Sequence, residues 1–320
     1  MPTIPDTISP QFQQVLRQIA EAAGERPEYP APTDVTGYAE YRAQMEDLWK
    51  MISGYEATLE KFAPEIMRRT LGGVPVIEVE PQNVRASNNI VLYTHGGAYV
   101  EASAESLLSV PVVVAHALGL RVISIDYTTA PASKWQQTTD QVLSVFKAIV
   151  VEGHSIENIA LFGDSSGGSL AAGSVLKMRD RSMGMPAAVV LWSPWADLTE
   201  TGDSYVTLKA ADPIMNYEKL LSSPAAAYAD PKDQKHPYVS PVYGDYSKGF
   251  PPTLIQGGTR EIFLSNFVRL YTAIDSAGQS VILDLYEGMP HNFQFQSYDA
   301  PESRRAVRKT AAFLLRHLPR

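Results

Sequence analysis

The chain has 320 residues, of which 45% are hydrophobic and 19% are charged, which is the composition of an ordinary globular protein. A formal net charge of -8 and the lack of a basic cluster argue against nucleic acid and anionic membranes as partners. Because the chain contains no cysteine, disulfides, zinc–cysteine sites and thiol catalysis are excluded.

The first 60 residues have the pattern of helices without strands. Helical spacing of apolar residues predicts one helix over 11–23, with Ser9 and Pro10 at its start, and another over 38–63. The opening sequence MPTIPDTISPQFQQ has neither a basic start nor an apolar stretch, so no signal peptide is expected. No apolar run approaches the ~20 residues of a membrane-spanning helix, and the expected location is the cytoplasm.

From residue 65 onward, apolar strands alternate with helices. Strands are predicted within 65–81 on either side of Gly72-Gly73, and at 89–97, 120–128, 158–165, 187–195, 253–258 and 281–288. Helices are predicted at 104–118, 138–152, 166–181, 264–277 and 302–317. This alternation predicts an α/β fold whose parallel sheet is covered by helices on both faces. Ligands of such sheets bind outside the carboxyl ends of the strands.

Residues 196–250 interrupt the alternation and contain no clear strand. A segment of this length is too long for a loop within a compact domain, so we expect it to fold over the site. The predicted organisation is a set of cap helices at 1–60, a catalytic core at 61–195 and 251–320, and a cap insertion at 196–250.

The stretch Gly163-Asp164-Ser165-Ser166-Gly167 fits the pattern G-x-S-x-G between a predicted strand and a predicted helix. At such a turn the central serine is held in a strained conformation that exposes its hydroxyl. Ser165 is therefore the candidate nucleophile. Glycine and serine are common in any strand-to-helix turn, so this interpretation needs further residues to support it.

The sequence THGGAY ends the strand predicted at 89–97 and brings two adjacent glycines to the edge of the sheet. Acyl transfer requires donors for an oxyanion, and backbone N–H groups serve this purpose well. The predicted donors are Gly96 and Gly97, together with the N–H group of Ser166. His95 is predicted to orient this loop and not to act as the base.

The candidate base is His291, in GMPHNF after the last predicted strand, because a serine nucleophile needs an adjacent base. The other histidines lie in a helix, in polar surface stretches or near the C-terminus. The candidate acid that orients the base is Glu261, in GGTREIFLSN just after strand 253–258. Asp284 is a rival acid, but it lies inside a predicted strand.

With HGGAY, GDSSGG, GTREIFLSN and GMPHNF in this order, the chain resembles the bacterial esterase branch of the hormone-sensitive lipase family of α/β-hydrolases, over about residues 60–320. The order Ser165, Glu261, His291 is that of this fold. The sequence departs from the family pattern where Ala98 replaces the third glycine of HGGG and Ser166 replaces the alanine of GDSAGG. Glu261 stands where aspartate is more usual.

The resemblance implies an α/β-hydrolase fold with an eight-stranded, mostly parallel sheet flanked by helices and a helical cap. It further implies that the chain hydrolyses short- to medium-chain carboxylic esters through an acyl-enzyme, with no metal and no other cofactor. The expected partner is a small-molecule ester. Many family members pair through the last strand and helix, so a homodimer is an assembly that the resemblance allows.

Three aromatic residues next to these motifs, Tyr99, Trp195 and Phe293, are candidate substrate-binding residues, although large rings at a sheet end also serve as core. The same triad would serve a lactone or amide hydrolase, or an acyltransferase. A non-catalytic receptor on this fold is a third alternative. The presence of both His291 and a carboxylate disfavours the receptor.

Overall fold

The computed structural model describes residues 4–21 and 26–320, and its centre is one eight-stranded sheet. The strands are β1 (Glu65–Leu71), β2 (Val74–Glu80), β3 (Ile90–Thr94), β4 (Arg121–Ile125), β5 (Ile159–Asp164), β6 (Val189–Trp192), β7 (Thr253–Gly258) and β8 (Val281–Tyr286). Their spatial order is β1-β2-β4-β3-β5-β6-β7-β8. The pairs β1–β2 and β2–β4 are antiparallel, and all later pairs are parallel. The predicted fold class is confirmed.

Helices precede, flank and interrupt the sheet. They are α1 (Pro10–Glu21), α2 (Val35–Ile52), α3 (Tyr55–Phe62), α4 (Ser109–Leu118), α5 (Trp135–Val151), α6 (Ser165–Asp180), α7 (Ser204–Thr207), α8 (Ser222–Tyr228), α9 (Leu264–Ser276), α10 (Phe293–Gln296) and α11 (Pro301–His317). The helix predicted over 38–63 is two helices, because the chain turns at Ser53 and at Gly54, whose φ is 66°. Residues 22 and 23 of the first predicted helix lie outside the described residues.

The central strands are apolar on both faces because helices cover both. In β3, Leu92 packs into one buried cluster with α5, α6 and α9, whereas Val91 and Tyr93 pack into a second cluster with α4 and α11. Side chains alternate across a strand, so a continuous apolar run is what a sheet covered twice requires. Each such buried side chain stabilises the fold by about 1.5–3 kcal/mol relative to an exposed one.

The insertion at 196–250 is described in full and contains no strand, only short helices and turns. It contacts the N-terminal segment, since the hydroxyls of Tyr38 in α2 and Ser223 in α8 are 2.9 Å apart. The first helix behaves differently: it packs beside α11, where Ser9 donates to Glu302 through both its N–H and its hydroxyl. The domain boundaries given above stay a prediction.

In the part of the chain that the structure describes, none of the helices has both the length and the apolar character needed to cross a membrane.

Candidate active site

Ser165 lies on a sharp turn between β5 and α6. Its φ is 53°, a left-handed conformation that is strained for a residue other than glycine. The flanking glycines are required by close packing: a Cβ on Gly163 would lie 2.4 Å from the Gly167 carbonyl oxygen, and one on Gly167 would lie 2.1 Å from that of Thr94. The turn therefore presents the Ser165 hydroxyl at the carboxyl end of the sheet, and the residue as a whole is 6% exposed.

The structure brings the three predicted catalytic residues together. The Ser165 hydroxyl donates to His291 Nε2 at 3.0 Å, and His291 Nδ1–H donates to Glu261 Oε2 at 2.8 Å. His291 and Glu261 follow β8 and β7, so parallel strand ends align the three side chains. His291 and Glu261 are both buried, and burial strengthens these hydrogen bonds relative to bonds in water.

The second carboxylate oxygen of Glu261 has its own donors. Oε1 accepts from the Ser193 hydroxyl at 2.8 Å and from the Gly258 N–H at 2.5 Å. The Ser193 hydroxyl in turn accepts from the N–H of Asn292, the residue after His291, at 3.1 Å. Ser193 therefore fixes the Glu261 carboxylate relative to the loop that carries His291. It was not predicted from the sequence, although its position just after β6, at the edge where ligands bind, was a usable signal.

Asp284, the rival acid, lies elsewhere. Its carboxylate accepts from Gln256 Nε2 at 2.9 Å and pairs with Lys309 of α11. It therefore lies on the face of the last strands that α11 covers, and its hydrogen bonds do not involve His291.

Asp164, the residue before the nucleophile, joins three segments of the site. Its carboxylate accepts from the Tyr93 hydroxyl at 2.6 Å, from the Gly96 N–H at 2.9 Å and from Asn292 Nδ2 at 2.7 Å. Burial raises the pKa of Asp164, and the hydrogen bond from Tyr93 is the largest of the effects that oppose this rise. The bond to Gly96 has a direct consequence for the oxyanion donors.

The prediction that Gly96 is an oxyanion donor is wrong, because its N–H already donates to Asp164. Gly97 and Ser166 have no such partner: within the described residues, their N–H groups have no hydrogen-bond acceptor. The same holds for the N–H of Ala98. Which backbone N–H points toward the nucleophile depends on the turn that the chain takes here, and the sequence did not reveal that turn.

His95 contacts the loop and not the nucleophile. Its Nδ1–H donates to the Gly96 carbonyl at 2.8 Å, and its ring stacks on Tyr127 with ring centroids 4.2 Å apart. Burial lowers the pKa of His95, which favours the neutral ring. These contacts suit the orienting role predicted for it.

Two of the three predicted substrate-binding residues belong to a wall of rings that reaches His291. Tyr99 stacks on Tyr228 of α8 with centroids 3.6 Å apart and lies 6.0 Å from Trp195. Trp195 stacks on Phe263, whose ring lies edge-on to His291 at 5.2 Å. Because Tyr228 belongs to the insertion, this wall joins the insertion to the catalytic core.

The prediction for Phe293 is wrong, because its ring packs in a different place. It contacts Phe12 of α1 at 6.3 Å and Tyr286 at 4.8 Å, inside an apolar cluster beneath the N-terminal helix. Asn292, with φ 52°, turns the chain left-handed just before Phe293. Phe293, two residues after His291, is therefore part of the core.

A carboxylate of the insertion supports the loop that carries Glu261. Asp212 accepts from the N–H of Ile262, the residue after Glu261, at 2.8 Å, and from those of Ile214 and Met215 at 2.9 Å each. Burial raises its pKa to about 6, with the backbone donors opposing the rise. Asp212 was not predicted from the sequence, since nothing local marks its tertiary partner.

Asp212 should give the protein a pH-dependent stability. The folded state holds its proton with a pKa of about 6 instead of the ordinary 3.8, so the folded state binds the proton more tightly than the unfolded chain. The contribution of Asp212 to the free energy of unfolding therefore falls, by up to about 3 kcal/mol, as the pH rises from about 4 to about 6. Urea unfolding of wild type and Asp212→Asn across this range should show the free energy of unfolding of the wild type falling relative to that of the variant as the pH rises. A difference that is constant with pH would contradict the raised pKa.

Among the residues that the structure describes, no group of three or more histidine, aspartate or glutamate side chains is arranged to hold a metal ion.

The fold and the site together define an α/β-hydrolase with a serine on the strand-to-helix turn, and comparisons with known proteins agree. A family model described as α/β-hydrolase fold matches residues 91–295, more than half of the chain. An esterase of Acinetobacter venetianus is 30% identical over 243 residues, which cover 76% of this chain and 79% of that protein. An acetyl-hydrolase of Streptomyces hygroscopicus is 32% identical over 230 residues, which cover 72% and 76%.

Solved structures extend the match to nearly the whole chain. The crystal structure of an esterase from the bacterial hormone-sensitive lipase family superposes with a TM-score of 0.85 at 29% identity, covering 97% of this chain and 99% of that one. The chain therefore belongs to the α/β-hydrolase family, and its predicted place on the hormone-sensitive-lipase-like bacterial branch is confirmed. Its class is that of the carboxylic ester hydrolases.

Proposed function

We propose that the protein is a serine carboxylesterase that hydrolyses short- to medium-chain esters through Ser165, His291 and Glu261. The observation that carries this proposal is the buried hydrogen-bonded chain from the Ser165 hydroxyl through His291 to Glu261, with distances of 3.0 and 2.8 Å. A nucleophile, a base and an orienting acid within hydrogen-bond reach are what covalent acyl transfer needs.

In the acylation step the Ser165 oxygen attacks the ester carbonyl carbon, and His291 Nε2 takes the hydroxyl proton. The tetrahedral intermediate collapses as His291 passes that proton to the departing alcohol, which leaves an acyl group on Ser165. Water then attacks this acyl-enzyme with His291 again as base, and the carboxylic acid is released. Glu261 holds the Nδ1 proton, so that Nε2 is free to accept.

The negative charge of the intermediate would be held by the N–H groups of Gly97, Ala98 and Ser166. The first two belong to the turn after β3, and the third belongs to the first turn of α6. N–H groups in the first turn of a helix have no intrahelical partner, and they favour negative charge. Removing one such donor typically costs about a hundredfold or more in rate.

The expected acyl group is short because the aromatic wall is closely packed. Tyr99 and Tyr228 stack with centroids 3.6 Å apart, and both rings are buried. A long chain passing this point would have to separate the two rings. The relative from Streptomyces hygroscopicus carries the name acetyl-hydrolase, and acetyl is a short acyl group of the kind expected here.

Initial rates on p-nitrophenyl acetate, butyrate, hexanoate, octanoate, dodecanoate and palmitate should test this expectation. We expect kcat/KM to be highest between acetate and hexanoate and to fall by about a hundredfold or more at palmitate, since the stacked rings exclude a long chain. The matched control is a long-chain alcohol ester of acetic acid, which places the same apolar chain on the leaving group. A maximum at dodecanoate or palmitate would contradict a short acyl site.

Lactone hydrolysis, amide hydrolysis and acyl transfer to an alcohol use the same groups, and no contact in the site favours them over ester hydrolysis. They become outcomes of the same assay. Turnover of a lactone or an anilide in the absence of ester turnover would replace the esterase proposal. Binding without turnover of any of these substrates would favour the receptor alternative.

A further inference from the structure

The chain departs from the family pattern at Ala98 and Ser166, and in the structure Ser166 contacts the residue that follows Ala98. The Ser166 hydroxyl is fully buried and accepts from the N–H of Tyr99, the residue after Ala98, at 3.2 Å. Alanine at position 166 would supply the same backbone N–H to the oxyanion but could not make this contact. The hydroxyl therefore adds a contact between the helix of the nucleophile and the loop after β3.

Tyr127 holds the other end of that loop. The Tyr127 hydroxyl donates to the His95 carbonyl at 2.7 Å. Burial raises the pKa of Tyr127, so its hydroxyl keeps its proton and remains a donor. Tyr127 thus holds the start of the loop at His95, and the Ser166 hydroxyl holds its end at Tyr99.

The loop needs such support because it is strained. Three consecutive residues are left-handed, namely Gly97 with φ 105°, Ala98 with φ 51° and Tyr99 with φ 67°. Glycine adopts this conformation readily, whereas alanine and tyrosine do so at a cost. A third glycine at position 98 would remove part of the strain, and this chain lacks it.

We propose that the Ser166 hydroxyl is a positioning group that holds the oxyanion loop in its left-handed turn, and that it compensates for alanine at position 98. This inference rests on the proposed function, since it concerns the donors of the same oxyanion. Without the hydroxyl, the buried Tyr99 N–H loses its acceptor and the turn relaxes. The N–H groups of Gly97 and Ala98 then move away from the oxyanion.

The test is a double-mutant cycle on p-nitrophenyl butyrate. Ser166→Ala should lower kcat about tenfold, the effect of leaving one buried N–H without an acceptor, with KM nearly unchanged because the donors act on the oxyanion and not on the bound ester. In the Ala98→Gly background, the same Ser166→Ala change should cost less than about threefold, since the turn no longer strains residue 98. Equal losses in the two backgrounds would overturn the compensation.

A second measurement separates positioning from general destabilisation. A short alkyl trifluoromethyl ketone forms an oxyanion with the serine, so its affinity should fall with kcat in Ser166→Ala, while the affinity of a short-chain alcohol product should not. The matched control is Ser174→Ala, which removes another fully buried hydroxyl of α6, one without a hydrogen-bond partner among the described residues. It should leave kcat unchanged. If Ser166→Ala matches this control, the hydroxyl has no positioning role.

The two proposals fail in different ways. Full activity in Ser165→Ala would refute the serine esterase itself. Loss of activity in Ser165→Ala, together with no effect of Ser166→Ala, would refute only the positioning role of the Ser166 hydroxyl.

Discussion

Replacing Ser165 by alanine is expected to lower kcat for p-nitrophenyl butyrate by about five to six orders of magnitude, the loss typical of a removed serine nucleophile. The Ser165 hydroxyl is hydrogen-bonded to His291 at 3.0 Å, so the change removes the proposed attacking oxygen and leaves the proposed base in place. Alanine keeps the backbone turn, and the fold should survive. Initial rates with a purified variant of unchanged melting temperature check this result.

A covalent probe tests whether Ser165 is the nucleophile without requiring turnover of an ester. Diethyl p-nitrophenyl phosphate should transfer one diethylphosphoryl group to Ser165 of the wild type with release of p-nitrophenol, which intact mass and peptide mapping would detect. Ser165→Ala should remain unmodified, while the Ser174→Ala control should be modified at the wild-type rate. Modification of the Ser165→Ala variant at a comparable rate would place the nucleophile elsewhere.

The proximity of Ser165, Glu261 and His291 could be predicted from the sequence because each follows a recognisable strand end. Ser165 comes directly after β5. Its flanking residues must be glycines, because a Cβ at either position would lie 2.1 to 2.4 Å from a backbone oxygen, and the pattern G-x-S-x-G already indicated this crowding. His291 and Glu261 follow β8 and β7, and parallel strands bring their carboxyl ends to one edge. The alternation of strands and helices and the local motifs were sufficient to predict that these three residues lie close together.

The features that could not be predicted depend on the direction in which an N–H group or a side chain points, and on contacts between residues far apart in sequence. Gly96 and Gly97 are adjacent and identical in type, yet the N–H of Gly96 points at Asp164 and that of Gly97 does not. Phe293 was predicted to bind substrate because it lies in the same motif as His291. The left-handed residue before it, Asn292, instead places its ring under α1. Asp212 lies some fifty residues from the N–H that it holds, within an insertion that carries no periodic pattern.

Replacing Glu261 by glutamine is expected to lower kcat about ten-thousandfold, because the amide selects the wrong histidine tautomer. Two donors, the Ser193 hydroxyl and the Gly258 N–H, already face one oxygen of this side chain. The amide oxygen of the variant must turn toward them, which leaves its NH₂ group facing His291 Nδ1. That nitrogen must then accept, its proton moves to Nε2, and His291 no longer accepts the proton of Ser165. Kinetics on p-nitrophenyl butyrate measure this loss.

The variant Glu261→Asp distinguishes the effect of the negative charge at this position from the effect of side-chain length. Aspartate keeps two acceptor oxygens and therefore the correct tautomer, but it is one methylene shorter and cannot keep all three contacts, to His291, Ser193 and Gly258, in place. We expect a loss of about ten- to a hundredfold, far below that of the glutamine variant. Asp284→Asn is the matched control, since that carboxylate contacts Gln256 and Lys309 and should not affect kcat. A larger loss in Asp284→Asn than in Glu261→Gln would mean that the acid is Asp284, and that the 2.8 Å contact of Glu261 with His291 does not orient the base.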